Sequence, residues 1–264
     1  MASAAKCMAP TPFPYDVGRM MSLKSADGKD ISLTITKAYS TSLPVMEVRI
    51  RTEKGFQKAI LKLFDRRFWS GERPKGYPLK YPECFIYSDP ISHAHEIKVY
   101  RELQALQGRC IPRFLASVTL DMPSYPPDFP PTYFEVRGIL LKKVCGFKLE
   151  DLLIKLPKNP LAWEEIIQKA VDVAKEINRA GVVHRRFLPW NVVVARLDEH
   201  TFQPFILDFS SAVLESECED TDEPNNPNSF QTILHTNHDP ESVGLLMVRE
   251  VEDGAGYRLR VNYN

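Results

Sequence analysis

Residues 182–194 read "VVHRRFLPWNVVV", and this stretch decides how the rest of the chain is understood. Apolar residues flank a polar loop in which His184, Arg185, Arg186 and Asn191 stand at fixed spacing, with Trp190 beside them. Fourteen residues beyond Val194, within "FILDFSS", Asp208 stands at the end of a second short β segment, "FQPFILDF", joined to "NVVVARL" by the polar turn "DEHT". The two segments read as short strands around a polar turn.

Working outward, "ISLTITKAYS" (31–40) and "PVMEVRIRT" (44–52) alternate apolar and polar residues, and "KAILKLF" (58–64) is a more apolar third strand carrying Lys62. "HAHEIKVYRELQALQG" (93–108) has Ile97, Tyr100, Leu103 and Leu106 at helical spacing and stops at Gly108, which predicts a helix bearing Glu96. "RFLASVTL" and "TYFEVRGILLKKV" read as strands around a proline-rich loop, "DMPSYPPDFPP". Beyond Gly146 the pattern turns helical: "LEDLLIKL", the long amphipathic "LAWEEIIQKAVDVAKEINRAG", and "DPESVGLLMVREV". This order divides the chain into a lead-in (1–28), a mainly β part (29–145) with an irregular insertion at 65–92, and a mainly helical part (146–264).

These motifs, in this order, resemble the protein-kinase-like superfamily over roughly residues 30–250, and the wording is similar to that of fungal kinase-like proteins. "AILK" resembles the β3 lysine motif, "HRR-FLPW-N" the HRDxxxxN catalytic loop, "LDFS" the DFG motif and "DPESVG" the DxxSxG opening of the large structural helix. The resemblance implies an α+β, two-lobed protein-kinase-like fold, with a mainly β N-lobe and a shortened, mainly helical C-lobe. It implies that Lys62 faces the α/β-phosphates with Glu96 as that lysine's carboxylate partner, and that Leu141, Lys142 and Val144, in "ILLKKVCG", lie along the adenine. It gives Asn191 and Asp208 the Mg²⁺ positions, with His184 and Trp190 as pocket residues. The implied cofactors are ATP and Mg²⁺, weakly bound, and otherwise none.

The departures from that pattern are as informative. Arg186 stands where the catalytic aspartate belongs and Leu188 where a lysine is expected. A guanidinium cannot act as a base at neutral pH. "KAYSTSLPVM", between the first two strands, has no glycine to let backbone N–H groups approach phosphates. No APE-like motif follows Asp208. The expected activity is therefore that of a pseudokinase-like protein acting through an unknown small molecule or protein partner, with no efficient phosphorylation of proteins. Two further readings stay open: an enzyme repurposed for non-phosphoryl small-molecule chemistry, with Arg186 binding or stabilising an anion, and a slow small-molecule phosphotransferase.

Composition bounds the alternatives. The 264 residues carry 34 basic and 34 acidic side chains and a formal net charge of zero, so nothing global points to a nucleic-acid or membrane partner. Five scattered cysteines without a CxxC pair fit a reducing compartment, and the start, "MASAAKCMAPTPFPYD", lacks a secretory apolar run. A soluble, cytoplasmic protein is expected. "HAHE" and "HTNHD" hold metal-type ligands without a complete set, and the acidic run at 215–228 reads as a solvated loop.

Overall fold

The computed structural model describes residues 15–40, 44–53, 55–65, 90–120, 135–219 and 226–263. Of the expected insertion at 65–92, residues 66–89 lie outside the described residues and residues 90–92 begin a helix; the proline-rich loop at 121–131, Trp69, Cys7 and Cys84 also lie outside the described residues. The chain forms two compact units: residues 1–90 with 115–141, and residues 91–114 with 142–264. The helical segment carrying Glu96, read from the sequence with the mainly β part, falls in the second unit.

The first unit corrects the expected fold. Strands β1 (Met20–Ser25), β2 (Asp30–Ser40), β3 (Val45–Thr52), β4 (Gly55–Phe64), β5 (Phe114–Leu120) and β6 (Val136–Lys142) close into a barrel in the order β1-β2-β3-β4-β6-β5. A closed six-stranded barrel is not the open β layer of the expected two-lobed protein-kinase-like fold. The reason lies in residues 1–28, which were expected to be only a lead-in. β1 pairs antiparallel with β2, Met20 opposite Thr34, and also with β5, Lys24 opposite Thr119, so it seals the sheet. The preceding Tyr15 is 2% exposed and its hydroxyl donates to Asp65 Oδ2 at 2.6 Å, pinning this stretch to the end of β4.

Alternation fills the barrel. Leu23, Leu33, Ile35, Met46, Val48, Leu61, Leu63, Val118 and Leu140 form its core. Each such side chain is worth about 1.5–3 kcal/mol when withdrawn from water. Gly138 is where β6 passes closest to its neighbour: a Cβ there would sit 2.9 Å from the Lys62 carbonyl oxygen.

The second unit is not mainly helical either. Helices α1 (Pro90–Glu102), α2 (Leu152–Lys155), α3 (Pro160–Arg179), α4 (Phe230–Asn237) and α5 (Asp239–Ala255) are interleaved with β7 (Gly146–Lys148), β8 (Val182–Val183), β9 (Val192–Arg196), β10 (Phe202–Ile206) and β11 (Val213–Leu214). α1 stops at Glu102, short of the expected Gly108, because a 3₁₀ turn at Gln104–Leu106 tightens the chain before Gly108 takes φ 78°. α3 starts where Asn159 caps the Ala162 N–H and Pro160 fits the first turn. It buries Trp163, Ile166, Ile167, Ala170, Val171, Ala174 and Ile177, the three-and-four spacing of one apolar face. β10 pairs with β9, which also pairs with β7. At Gly146 a side chain would collide with the Val194 carbonyl, so only glycine permits this approach. Among the described residues, no helix is long and apolar enough to cross a membrane.

Candidate functional site

The site lies in the second unit, where two loops meet at the end of the β9–β10 hairpin. Antiparallel pairing sets Ile206 opposite Val192. One step beyond, Leu207 N donates to Asn191 O at 2.8 Å, so Asp208 follows directly beside Asn191. The two short strands expected from the sequence pair as a hairpin, and that pairing brings these two residues together.

The loop before Asn191 is held by groups that sequence spacing had offered as functional. His184 is fully buried rather than lining a surface. Its Nε2 lies 3.0 Å from the Leu207 carbonyl oxygen, and its Nδ1 is 3.3 Å from Arg186 N. The carbonyl only accepts and the backbone N–H only donates, so the imidazole carries its proton on Nε2 and accepts at Nδ1. Phe187 and Phe209 meet the ring edge-on, with centroids 5.5 and 5.0 Å away. Asn191 turns its amide inward, Nδ2 donating to Arg186 O at 2.9 Å.

Asp239, at the first turn of α5, holds the loop from below. Its Oδ2 accepts from His184 N at 2.6 Å and its Oδ1 from Arg185 N at 3.0 Å. Burial pushes its carboxyl up from the usual 3.8 to about 6, outweighing the two backbone donors that favour the charge. Held this way, Arg185 adopts φ 64°, a left-handed conformation uncommon for a side chain of its size. Both Arg185 and Arg186 are left exposed, and Trp190 is 45% exposed.

Asp208 is half-buried, takes φ 64°, and accepts from Ser210 Oγ at 2.9 Å. Serine at the third position of "DFS" thus fixes the carboxylate. Tyr100, on α1, was read only as a packing residue, yet it belongs to this site. Its ring meets Phe209 edge-on at 5.5 Å, and its hydroxyl is buried with no hydrogen-bond partner among the described residues. Burial, with the charges of Glu96 and Asp208 added, drives that phenol well above its ordinary value of 10. Glu96 itself is fully buried on α1. No spacing rule singles out such a tyrosine, because its contacts span more than a hundred residues of sequence.

Of the remaining candidates, Lys62 and Leu141 belong to the first unit, and Lys142 and Val144 to the second. Lys62 is 7% exposed on β4 in the first unit, opposite Val45 and with Nζ 5.4 Å from the Phe64 ring centroid. Leu141 is buried at the end of β6, Lys142 is exposed with its N–H donating to Arg113 O at 2.8 Å, and Val144 is half-buried. The acidic stretch after Asp208 is more than a solvated loop: Glu217 accepts from Lys98 Nζ at 2.9 Å and faces His95 Nδ1 at 3.3 Å. His95 Nε2 donates to Ala212 O at 2.8 Å, so this histidine braces α1 against that stretch. The His235 and His238 rings lie 6.2 Å apart. Among the described residues, no group of three or more His, Cys, Asp and Glu could hold a metal ion. Asn191 and Asp208 offer oxygen donors of the kind Mg²⁺ takes, and a hexacoordinate ion would draw its other ligands from phosphate oxygens and water.

No protein-family model matches this chain, and no curated protein matches it.

Proposed function

We propose that this protein acts by binding a ligand or partner through the 184–191 and 207–210 loops of its second unit, and that it does not phosphorylate proteins. One observation carries this reading. The polar groups of the loop that could act on a substrate are engaged in holding backbone, while Arg186 projects into solvent from the position where a base would stand. His184 uses both ring nitrogens, Asn191 its amide N–H and Asp239 both oxygens on backbone groups of the 184–191 and 207–210 loops. A guanidinium offers five donors and no acceptor, which suits an anionic group on the bound species. The motif resemblance to protein kinases supports ATP with Mg²⁺ as a weak ligand, with Asn191 and Asp208 as the metal-facing pair.

A second reading is favoured by the way Arg186 is mounted. Its N–H is held by His184 and its carbonyl accepts from Asn191 Nδ2 and from Leu188 N at 2.9 Å, so the guanidinium springs from a fixed base. Such preorganised charge suits an enzyme that stabilises an anion in small-molecule chemistry.

The test is a thermal-shift titration with ATP and ADP, with and without Mg²⁺, alongside an assay for release or transfer of the γ-phosphate. A ligand at 100 times its Kd stabilises the fold by about 2.7 kcal/mol. The expected result is a Mg²⁺-dependent shift without loss of the γ-phosphate. Loss of the γ-phosphate that disappears in Asp208→Asn would overturn the binding-only reading and establish a slow phosphotransferase.

A further inference from the structure

The segment after α5 lies along α3 in an unusual way. Gly256, at φ 65°, ends the helix, and residues 257–263 then alternate: Tyr257, Leu259, Val261 and Tyr263 are buried or half-buried, while Arg258, Arg260 and Asn262 are exposed. This is the burial pattern of a strand, without a paired strand among the described residues. Side chains of α3 supply the hydrogen bonds instead. Arg260 N donates to Glu164 Oε1 at 2.9 Å. One helical turn further on, the Gln168 amide closes on the backbone of Asn262 from both sides, Oε1 accepting from N at 2.7 Å and Nε2 donating to O at 3.0 Å. Two residues of extended chain advance about 6.6 Å and four residues of helix about 6 Å, so the two ladders stay in register.

Hydrogen bonds to main-chain groups do not depend on the side chains of the segment they hold, as in other modes of extended-peptide recognition. Selectivity lies in the apolar anchors. Tyr257 meets Trp163 edge-on at 6.2 Å, Leu259 is 6% exposed, and Tyr263 lies over Gly244 of α5. A Cβ at Gly244 would fall 2.5 to 2.9 Å from atoms of the Tyr263 ring and hydroxyl, so glycine there makes the room. The Tyr263 hydroxyl is buried and has no hydrogen-bond partner among the described residues. A buried hydroxyl without a partner costs binding free energy, which makes residues 257–263 an imperfect occupant of their own groove.

We propose that this face of α3 and α5 is a groove for an extended peptide segment of a partner protein, with apolar residues at alternate positions and phenylalanine where Tyr263 now sits, and that residues 257–263 fill it until displaced. A second copy of this chain is the weaker competitor: its segment carries the same unsatisfied hydroxyl and lacks the high effective concentration of the attached one. Phenylalanine keeps the ring and removes the orphaned group. This groove is distinct from the 184–191 loop and does not depend on how that loop is used.

The test uses a blocked, fluorescently labelled peptide of residues 257–263 carrying Tyr263→Phe. It is titrated by anisotropy into the full chain and into the full-length double variant Leu259→Ala/Tyr263→Ala, whose own segment is loosened. The double variant should bind the peptide at least ~10-fold more tightly than the unaltered chain, and adding Gln168→Ala should weaken that binding by ~10-fold, through loss of two hydrogen bonds. In the unaltered chain, hydrogen exchange at the Arg260 and Asn262 amides should speed up in excess peptide as they leave Glu164 and Gln168. That second readout stands even if the double variant does not fold. No binding to a folded double variant, binding indifferent to Gln168→Ala, or amide exchange unchanged by excess peptide would overturn the proposal.

Discussion

Asp239 sets up a pH dependence that can be worked out in advance. Its carboxylate is 2% exposed and binds the N–H groups of His184 and Arg185, yet burial raises it from 3.8 to about 6. An acid raised on folding binds more protons in the native state than in the unfolded state between these two values, so native stability falls as pH climbs through that window. A rise from 3.8 to about 6 corresponds to about 3 kcal/mol in full, of which about 2 kcal/mol is lost between about pH 4.5 and 7. Asp239→Asn removes the titration while keeping a side-chain oxygen to accept one of the two bonds. Urea unfolding of both proteins across this range, taken as a difference so that other groups cancel, should show the original chain losing its advantage by about 2 kcal/mol towards neutral pH. A difference that stays flat with pH, or grows towards pH 7, would refute the reasoning and show that the two backbone donors outweigh burial.

Three further outcomes can be checked. Gly146→Ala should destabilise the second unit by about 3 kcal/mol in denaturant unfolding, since the added methyl meets the Val194 carbonyl between paired strands. Arg186→Ala should leave the unfolding free energy within about 0.5 kcal/mol, because the side chain is exposed, while weakening an anionic ligand by about 10-fold in a binding titration; a large loss of stability would show that the guanidinium holds the loop. Iodoacetamide at about pH 8 should label exposed Cys145 well before Cys110, whose thiol burial pushes up to about 12, as read by peptide mass spectrometry.

Local features of the fold were legible where one face is buried and the other is wet. The period-two alternation of 45–52 and the three-and-four spacing of 160–179 each announce an element whose bounds then shift by only a few residues. Strand β1 was not legible, because six residues inside a proline-bearing lead-in carry too short an alternation to stand out. Closure of the barrel depends on which strand meets β1, a property of tertiary pairing that no window of sequence contains. In the site, the two short strands around the turn at 198–201 could be read from the sequence, but not the pairing that sets Asn191 beside Asp208. The fastening of Arg185 by Asp239, 54 positions away, could not, and neither could the left-handed backbone of an arginine with no glycine to signal it. Motif order suggested a familiar architecture, but order along a chain constrains topology only loosely when short strands can be recruited from outside the motif set.

The seal made by β1 also bears on self-association. Unpaired strand edges invite other chains to add on by backbone hydrogen bonding, and a closed ring offers none. Because β1 is bonded to β2 on one side and β5 on the other, its loss would bare two edges at once. A short segment near residue 20 therefore acts as the gatekeeper against intermolecular β-stacking, and shortened forms lacking it are the ones expected to clump.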